Sequence, residues 1–302
     1  MNIIRLYPFL MLVAFISILF TGCATKNNKS ATHTVQVNTP AKSEERIAAT
    51  NLLQTEQLAG GVTYSKDTLK TKAALMAFKE RYSTEQLQVI MALNRLDPNR
   101  LRTNIQLIIP DTVLATFDSY SPFPNQLQAG QNIPKLFVVN QRIQLFAAYE
   151  NGNLVRFGPV STGKKATPTP NGLYHTNYKK KSKVSTVDGD WVMPWYTNIH
   201  NTEGIALHQY ALPGYPASHS CVRLYEKDAM WVYNWADGWQ LSDNGQKVLK
   251  NGTPVLIFGK FDFDQPASWK ELPTNPKIME LNAEEQQTLN EALNKIIGEQ
   301  PS

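Results

Sequence analysis

The sequence predicts a mainly β fold with a few helices, preceded by a small α+β region. Three observations carry this expectation. Short runs rich in β-branched and aromatic residues recur at 135–139, 142–147, 154–157, 172–176, 204–208 and 254–258. Asn151-Gly152 between two of them is a strong hairpin signal, with Asn140-Gln141 as a second candidate turn. No regular strand–helix alternation is present, which argues against a doubly wound parallel sheet.

Composition sets the frame. Of 302 residues, 42% are hydrophobic and 18% charged, enough apolar material for a packed core. The formal charge of +5 favours anionic surroundings such as cell-wall polymers or lipid head groups. It is too small to argue for nucleic acid, and no basic helix, zinc pattern or RNA-binding motif points there.

The N-terminus reads as a targeting segment. Arg5 precedes an apolar stretch at 7–20, and Leu19-Phe20-Thr21-Gly22-Cys23 places small residues just before a cysteine. This resembles a bacterial lipoprotein signal, with Cys23 lipidated as the first mature residue and residues 1–23 as signal plus anchor. The alternative is a simple membrane anchor with an incidental cysteine. Both readings place the rest of the chain outside the cytoplasm. Residues 24–62, rich in Lys, Asn, Ser and Thr, read as a flexible tether.

From 63 to 111 the pattern is helical and then extended. Leu69, Ala73, Leu75, Met76 and Phe78 predict one helix, Thr84-Glu85-Gln86-Leu87 with Ile90, Met91 and Leu93 a second, and 105–110 a strand. On Leu93-Asn94 and the closing Leu107-Ile108-Ile109-Pro110, the segment resembles a degenerate LysM module, a small glycan-binding fold. Lys66-Asp67-Thr68 and Thr103-Asn104 replace the usual Gly-Asp-Thr start and late glycine. Sugar binding and a purely structural spacer both remain open. Residues 112–133, with Pro122 and Pro124, read as a linker.

The stretch around Cys221 carries the chemistry. In Ser218-His219-Ser220-Cys221-Val222-Arg223 the cysteine is flanked by a histidine and an arginine, and His208 lies upstream across the turn-forming Pro213-Gly214 and Pro216. Cys221 and Cys23 are the only cysteines. Lipidation of Cys23 leaves Cys221 unpaired in an oxidising compartment, so a reactive thiol is the better reading than a buried structural one. An imidazole within reach is the minimum equipment for thiolate attack. After it, Glu226 and Asp228 open a helix carrying Ala229, Val232, Tyr233 and Ala236 on one face, stopped by Gly238. A further helix is predicted over 280–297. Lys179-Lys180-Lys181 with Lys183 reads as a solvated loop or an attractor of carboxylates. Trp191, Trp195 and Tyr196 read equally as cleft or core. The scattered histidines offer no zinc site.

Residues 134–260 resemble the L,D-transpeptidase (YkuD-type) catalytic domain, with 261–302 as a C-terminal extension. The pieces are Val160-Ser161-Thr162-Gly163-Lys164, Thr167-Pro168-Thr169-Pro170-Asn171-Gly172, His208, the Ser218 to Arg223 motif and Gly252-Thr253-Pro254-Val255. The resemblance implies a β-sandwich or barrel acting on peptidoglycan stem peptides without metal or cofactor. It implies Cys221 as nucleophile and His208 as proton acceptor and donor, releasing D-alanine from a tetrapeptide and passing the acyl group to an amine. Backbone N–H groups at 219–221 are the candidates for the oxyanion. His219 shapes the loop, Ser218 hydrogen-bonds within it, and Arg223 serves the thiolate, a substrate carboxylate or a salt bridge. Ser220 and Gln209 replace two glycines usual in the family; Ser220 is strained if its φ is positive, and Gln209 still offers a carbonyl to orient the histidine. Peptidoglycan peptide and glycan, and the membrane through Cys23, are the implied partners. A hydrolase on the same scaffold and a non-catalytic wall-binding lipoprotein are the competing readings. The order His then Cys argues against NlpC/P60 peptidases. Sortases share that order, but their cysteine closes a Thr-Leu-x-Thr-Cys strand and their arginine lies further downstream.

Overall fold

Residues 61–185 and 189–299 are described by a computed structural model of the chain. The targeting segment with Cys23 and nearly all of the tether lie outside them.

Tyr64–Thr68 (β1) pairs antiparallel with Gln106–Pro110 (β2), and helices Lys72–Arg81 (α1) and Thr84–Leu93 (α2) run between them. Each helix starts where its sequence supplies a cap. Thr71 accepts from the Ala74 amide, and Ser83 with Gln86 forms a reciprocal capping box. The apolar faces meet over Leu69, Phe78, Ile90, Met91 and Leu107. Asn94, 3% exposed, bolts α2 to β2: its Nδ2 donates to Ile90 O and Ile108 O, and its Oδ1 accepts from Ile108 N. A buried amide with all these bonds made is specific as well as stable.

The remaining strands are Lys135–Asn140 (β3), Leu145–Glu150 (β4), Asn153–Ser161 (β5), Gly172–His175 (β6), Lys179–Val184 (β7), Val192–His200 (β8), Ile205–Gln209 (β9), Val222–Leu224 (β10), Gln240–Leu241 (β11), Val248–Lys250 (β12) and Pro254–Phe258 (β13). β11 and β12 form a small hairpin. Nine others build one mixed sheet in the order β6-β13-β3-β4-β5-β10-β9-β8-β7. β13 runs parallel to β3 and β10 parallel to β9; the other pairings are antiparallel. The fold is mainly β, as the sequence predicts.

The central strands β3 and β4 are apolar over most of their length because both faces are covered. On β3, Leu136 and Val138 face one core while Phe137 and Val139 face the other. The second core is closed by Glu226–Trp235 (α3) through Ala229 and Val232. The first is closed by Ala283–Gly298 (α4) through Leu289, Leu293 and Ile296, each contributing roughly 1.5–3 kcal/mol on burial. Asn282 and Glu285 cap α4, and Arg142 clamps Glu285 through two hydrogen bonds of 2.8 and 2.7 Å. Phe123, Leu127 and Ile133, from the segment read as linker, enter this same core.

Two local expectations change. The first hairpin turns over four residues, 141–144, so Arg142 and Ile143 belong to the turn and not to a strand. Buried Asn140 organises it by accepting the Arg142 amide at 2.9 Å. The lysine-rich stretch read as a solvated loop is strand β7, at the edge of the large sheet. The Asn-Gly hairpin forms as expected, with Asn151 and Gly152 at φ +47° and +76°.

Candidate active site

The register of β9 and β10 brings the predicted pair together. Val222 lies beside Leu207 and Arg223 beside His208, so Cys221, one residue ahead of β10, stands level with Ala206 on the neighbouring strand. The chain between them must cross over, since the two strands are parallel.

The Cys221 loop rests in a cradle built by the 160–172 motif. Thr162 O accepts the amides of Ala217 and Ser218 at 2.9 and 3.0 Å, and Lys164 N donates back to Ser218 O at 3.0 Å. Thr169 Oγ1 donates to Ser220 O at 2.9 Å while accepting from Gly163 N at 2.8 Å. Gly163 is required there: a Cβ would meet Thr167 O at 2.2 Å and Thr169 N at 2.5 Å. Inside the loop, the Ser218 hydroxyl donates to Cys221 O, the role its position predicts. Ser220 adopts φ +77°, the left-handed region that favours glycine. Among the described residues, the amides of His219, Ser220 and Cys221 meet no acceptor. They remain available to an incoming oxyanion.

The two histidines are distinguished by their partners. His208 is 4% exposed, and its Nδ1 lies 2.8 Å from Gln209 O. A carbonyl only accepts, so Nδ1 carries the proton and Nε2 keeps the lone pair. Burial lowers this imidazole to about 4, so it is neutral across physiological pH. His219 is exposed; its Nε2 lies 2.9 Å from the Lys164 ammonium, and its ring packs against Trp191 at 4.8 Å. That nitrogen is already occupied. The Gln209 side chain does not line the cleft, so its substitution leaves the pocket open.

Burial also governs the thiol. It pushes Cys221 above its ordinary value, against a hydrogen bond from the Ala206 amide and the nearby charges of Lys183 and Arg223. Burial thus disfavours a standing thiolate at Cys221, and the imidazole beside it is neutral. Sγ–H points to Gly204 O at 3.7 Å.

Around these groups lies a cleft of about 120 Å³ lined by Cys221, His208, His219, Arg223, Lys183 and Trp191, with Ser218, Tyr196, Tyr210 and Glu203 at its walls. Trp191 and Tyr196 belong to the cleft, whereas Trp195 packs on Tyr233 in the core. Arg223 makes no salt bridge among the described residues; its guanidinium lies 4.5 Å from the Tyr210 ring centre and Nη1 donates to Ala211 O at 3.4 Å. Lys183 is the functional candidate the sequence did not separate from its neighbours. Its ammonium sits 4.3 Å over the Tyr196 ring and donates to the Tyr178 and Tyr196 hydroxyls at 2.8 and 3.1 Å. No sequence signal separates it from the lysines around it, whereas in the structure Lys179 instead donates to Tyr233 O and Ala236 O. Among the described residues no cluster of His, Cys, Asp or Glu could hold a metal, and no helix is long and apolar enough to cross a membrane.

Comparison with known proteins adds the following. An L,D-transpeptidase from Stackebrandtia nassauensis is 23% identical, covers 43% of this chain and 58% of its own, and has a TM-score of 0.35. An L,D-transpeptidase from Mycobacterium smegmatis is 18% identical over 42% of this chain and 59% of its own, with a TM-score of 0.34. L,D-transpeptidase 1 of Mycobacterium tuberculosis is 21% identical over 41% and 62%, with a TM-score of 0.32. The chain thus spans about three-fifths of the length of these solved structures. No curated protein matches it. The segment that holds the sheet, the cradle and the cleft, residues 134–257, matches the family model of the L,D-transpeptidase catalytic domain, YkuD.

Proposed function

We propose that the protein is a peptidoglycan L,D-transpeptidase that works by cysteine acyl transfer. One observation carries this reading: His208 is fixed by Gln209 O with its Nε2 lone pair free, on the strand beside Cys221, within one cleft. As the sulfur attacks the carbonyl of the third residue of a tetrapeptide stem, the thiol proton passes to His208 Nε2. The carbonyl oxygen becomes an oxyanion held by amides at 219–221, each typically worth about 3–4 kcal/mol. Collapse breaks the peptide bond, His208 returns its proton to the departing amine, and D-alanine leaves with the stem as a thioester on Cys221. An acceptor amine attacks the thioester, His208 taking one of its protons and handing it to the sulfur, so that a new amide and the free thiol are produced. Arg223 and Lys183 supply positive charge for the developing thiolate and for substrate carboxylates.

In this reading the βααβ segment is LysM-like and meets the glycan, and Cys23 carries a lipid that anchors the protein on the outer side of a membrane. The charge of +5 fits such a setting.

The test is mass spectrometry of tetrapeptide muropeptide incubated with the wild type, Cys221→Ala, His208→Ala and His219→Ala. Cross-linked dimer that requires Cys221 and His208 and survives in part in His219→Ala supports the proposal. Tripeptide alone makes the protein an L,D-carboxypeptidase on the same scaffold. No turnover and no adduct on Cys221 leaves a wall-binding lipoprotein. Loss in His219→Ala with activity kept in His208→Ala would overturn the choice of base.

A further inference from the structure

The chain between His208 and Cys221 is not free to move, and what holds it comes from outside the 134–257 segment. At the end of α2 the chain makes an elbow, Asn94 to Asp97. Asp97 grips Leu212 twice: its carboxylate accepts the Leu212 amide at 2.6 Å, and its own amide donates to Leu212 O at 3.0 Å. Leu96 forms an isolated antiparallel bridge with Pro213, and Leu96 O accepts the Tyr225 hydroxyl. Leu212 itself is fully buried against Ala92 and Tyr225. Gly214, at φ +91°, lets the chain pass so closely that an added Cβ would stand 3.1 Å from the Leu96 side chain. The elbow is anchored in turn by Arg95, 2% exposed, which donates to Ile143 O through Nε and Nη2 at 3.1 and 2.9 Å.

The next residue links this grip to the cleft. Ala211 O receives the Arg223 guanidinium, and Arg223 lines the pocket beside His208 on the adjacent strand. The 211–214 stretch is therefore held from one side by Asp97 and touched from the other by a cleft residue.

We propose that Asp97 is a positioning residue for the active site: by fixing Leu212 it sets the loop joining His208 to Cys221 and, through Ala211, the place of Arg223. The βααβ segment is then a working part of the cleft and not only an attachment. The inference rests on the roles assigned to Cys221 and His208 above.

The experiment uses the full-length chain in detergent, with Asp97→Ala, Asp97→Asn and Asp111→Ala. Asp111 ties Thr63 at the far end of the same βααβ segment through two side-chain bonds of 3.2 and 2.7 Å and does not touch the loop. Asparagine keeps an oxygen for the Leu212 amide; alanine does not. Two readouts are followed: kcat and KM on tetrapeptide muropeptide, and alkylation of the Cys221 peptide by iodoacetamide. Asp97→Ala is expected to lower kcat roughly 10–100-fold with a smaller change in KM, as misplacement remote from the chemistry does. It should also quicken alkylation, because a loosened loop uncovers the thiol. Asp97→Asn should restore both, and Asp111→Ala should leave the alkylation of Cys221 unchanged even where it lowers the melting temperature. Turnover in Asp97→Ala within about threefold of wild type overturns the inference. So does the same quickening of alkylation in Asp111→Ala, or no rescue by asparagine. A wild type that does not turn over sinks the proposed activity alone; the alkylation ratios then decide the positioning role.

Discussion

Replacing Ser220 by glycine should stabilise the protein. Ser220 stands at φ +77°, where a side chain costs about 1–2 kcal/mol. Glycine removes that cost and frees the unfolded chain, which takes back about 0.4–1 kcal/mol. The serine hydroxyl has one long contact, to Thr167 O at 3.5 Å, too long to add much. The balance is a gain of about 0.5–1 kcal/mol in Ser220→Gly. Ser220→Ala is the control: it keeps the Cβ and the strain, and should stay within about 0.5 kcal/mol of wild type. Urea unfolding followed by tryptophan fluorescence reads both, at constant m-value. If Ser220→Gly is no more stable than Ser220→Ala, the positive φ is not strained and the reasoning fails.

Two further outcomes follow from the same geometry. Gly163→Ala would drive a methyl into Thr167 O and should cost about 3 kcal/mol, with loss of the cradle under Ser218 and Ser220; a melting temperature equal to wild type refutes the close approach. His208, held at about 4 when folded against 6.5 otherwise, stays neutral while the unfolded chain takes its proton, so up to about 3 kcal/mol of stability present above pH 6.5 is lost as the pH falls toward 4. Urea midpoints across that window, compared with His208→Gln, check the sign, and an identical pH slope in the two proteins contradicts it.

What could be read from the sequence was local or strongly patterned. α2 runs over its predicted residues because Ser83 and Gln86 form their capping box within four positions. β13 is an uninterrupted apolar run because both of its faces are buried. β7 was missed for the opposite reason. It is the outermost strand of the sheet, and lysines at an edge both expose charge and discourage pairing with another chain, so composition alone describes it as loop. The turn at 141–144 depends on the buried Asn140 side chain, while Arg142 and Ile143 continue the strand-like pattern. At the site, spacing and motif brought Cys221 and His208 together, and the carbonyl expected of Gln209 is the one His208 uses. The grip of Asp97 on Leu212 spans 115 positions and makes no local pattern at all.

The burial of this free thiol bears on how a lone reactive cysteine lasts. Oxidation follows thiolate character and exposure. Burial holds Cys221 above its ordinary value and so disfavours the thiolate, and the sulfur hands its remaining hydrogen bond to a backbone carbonyl. A free reagent meets a thiol. A substrate seated in the cleft meets a thiol whose proton has somewhere to go, because His208 Nε2 is unprotonated and its ring is held by Gln209 O. An imidazole at about 4 is a weak base toward water. Its basicity rises once an oxyanion forms beside it, since the same low dielectric that expelled the charge now favours the ion pair. In the proposed reaction, proton transfer is thereby tied to carbonyl attack, and nucleophilicity appears only when there is something to attack.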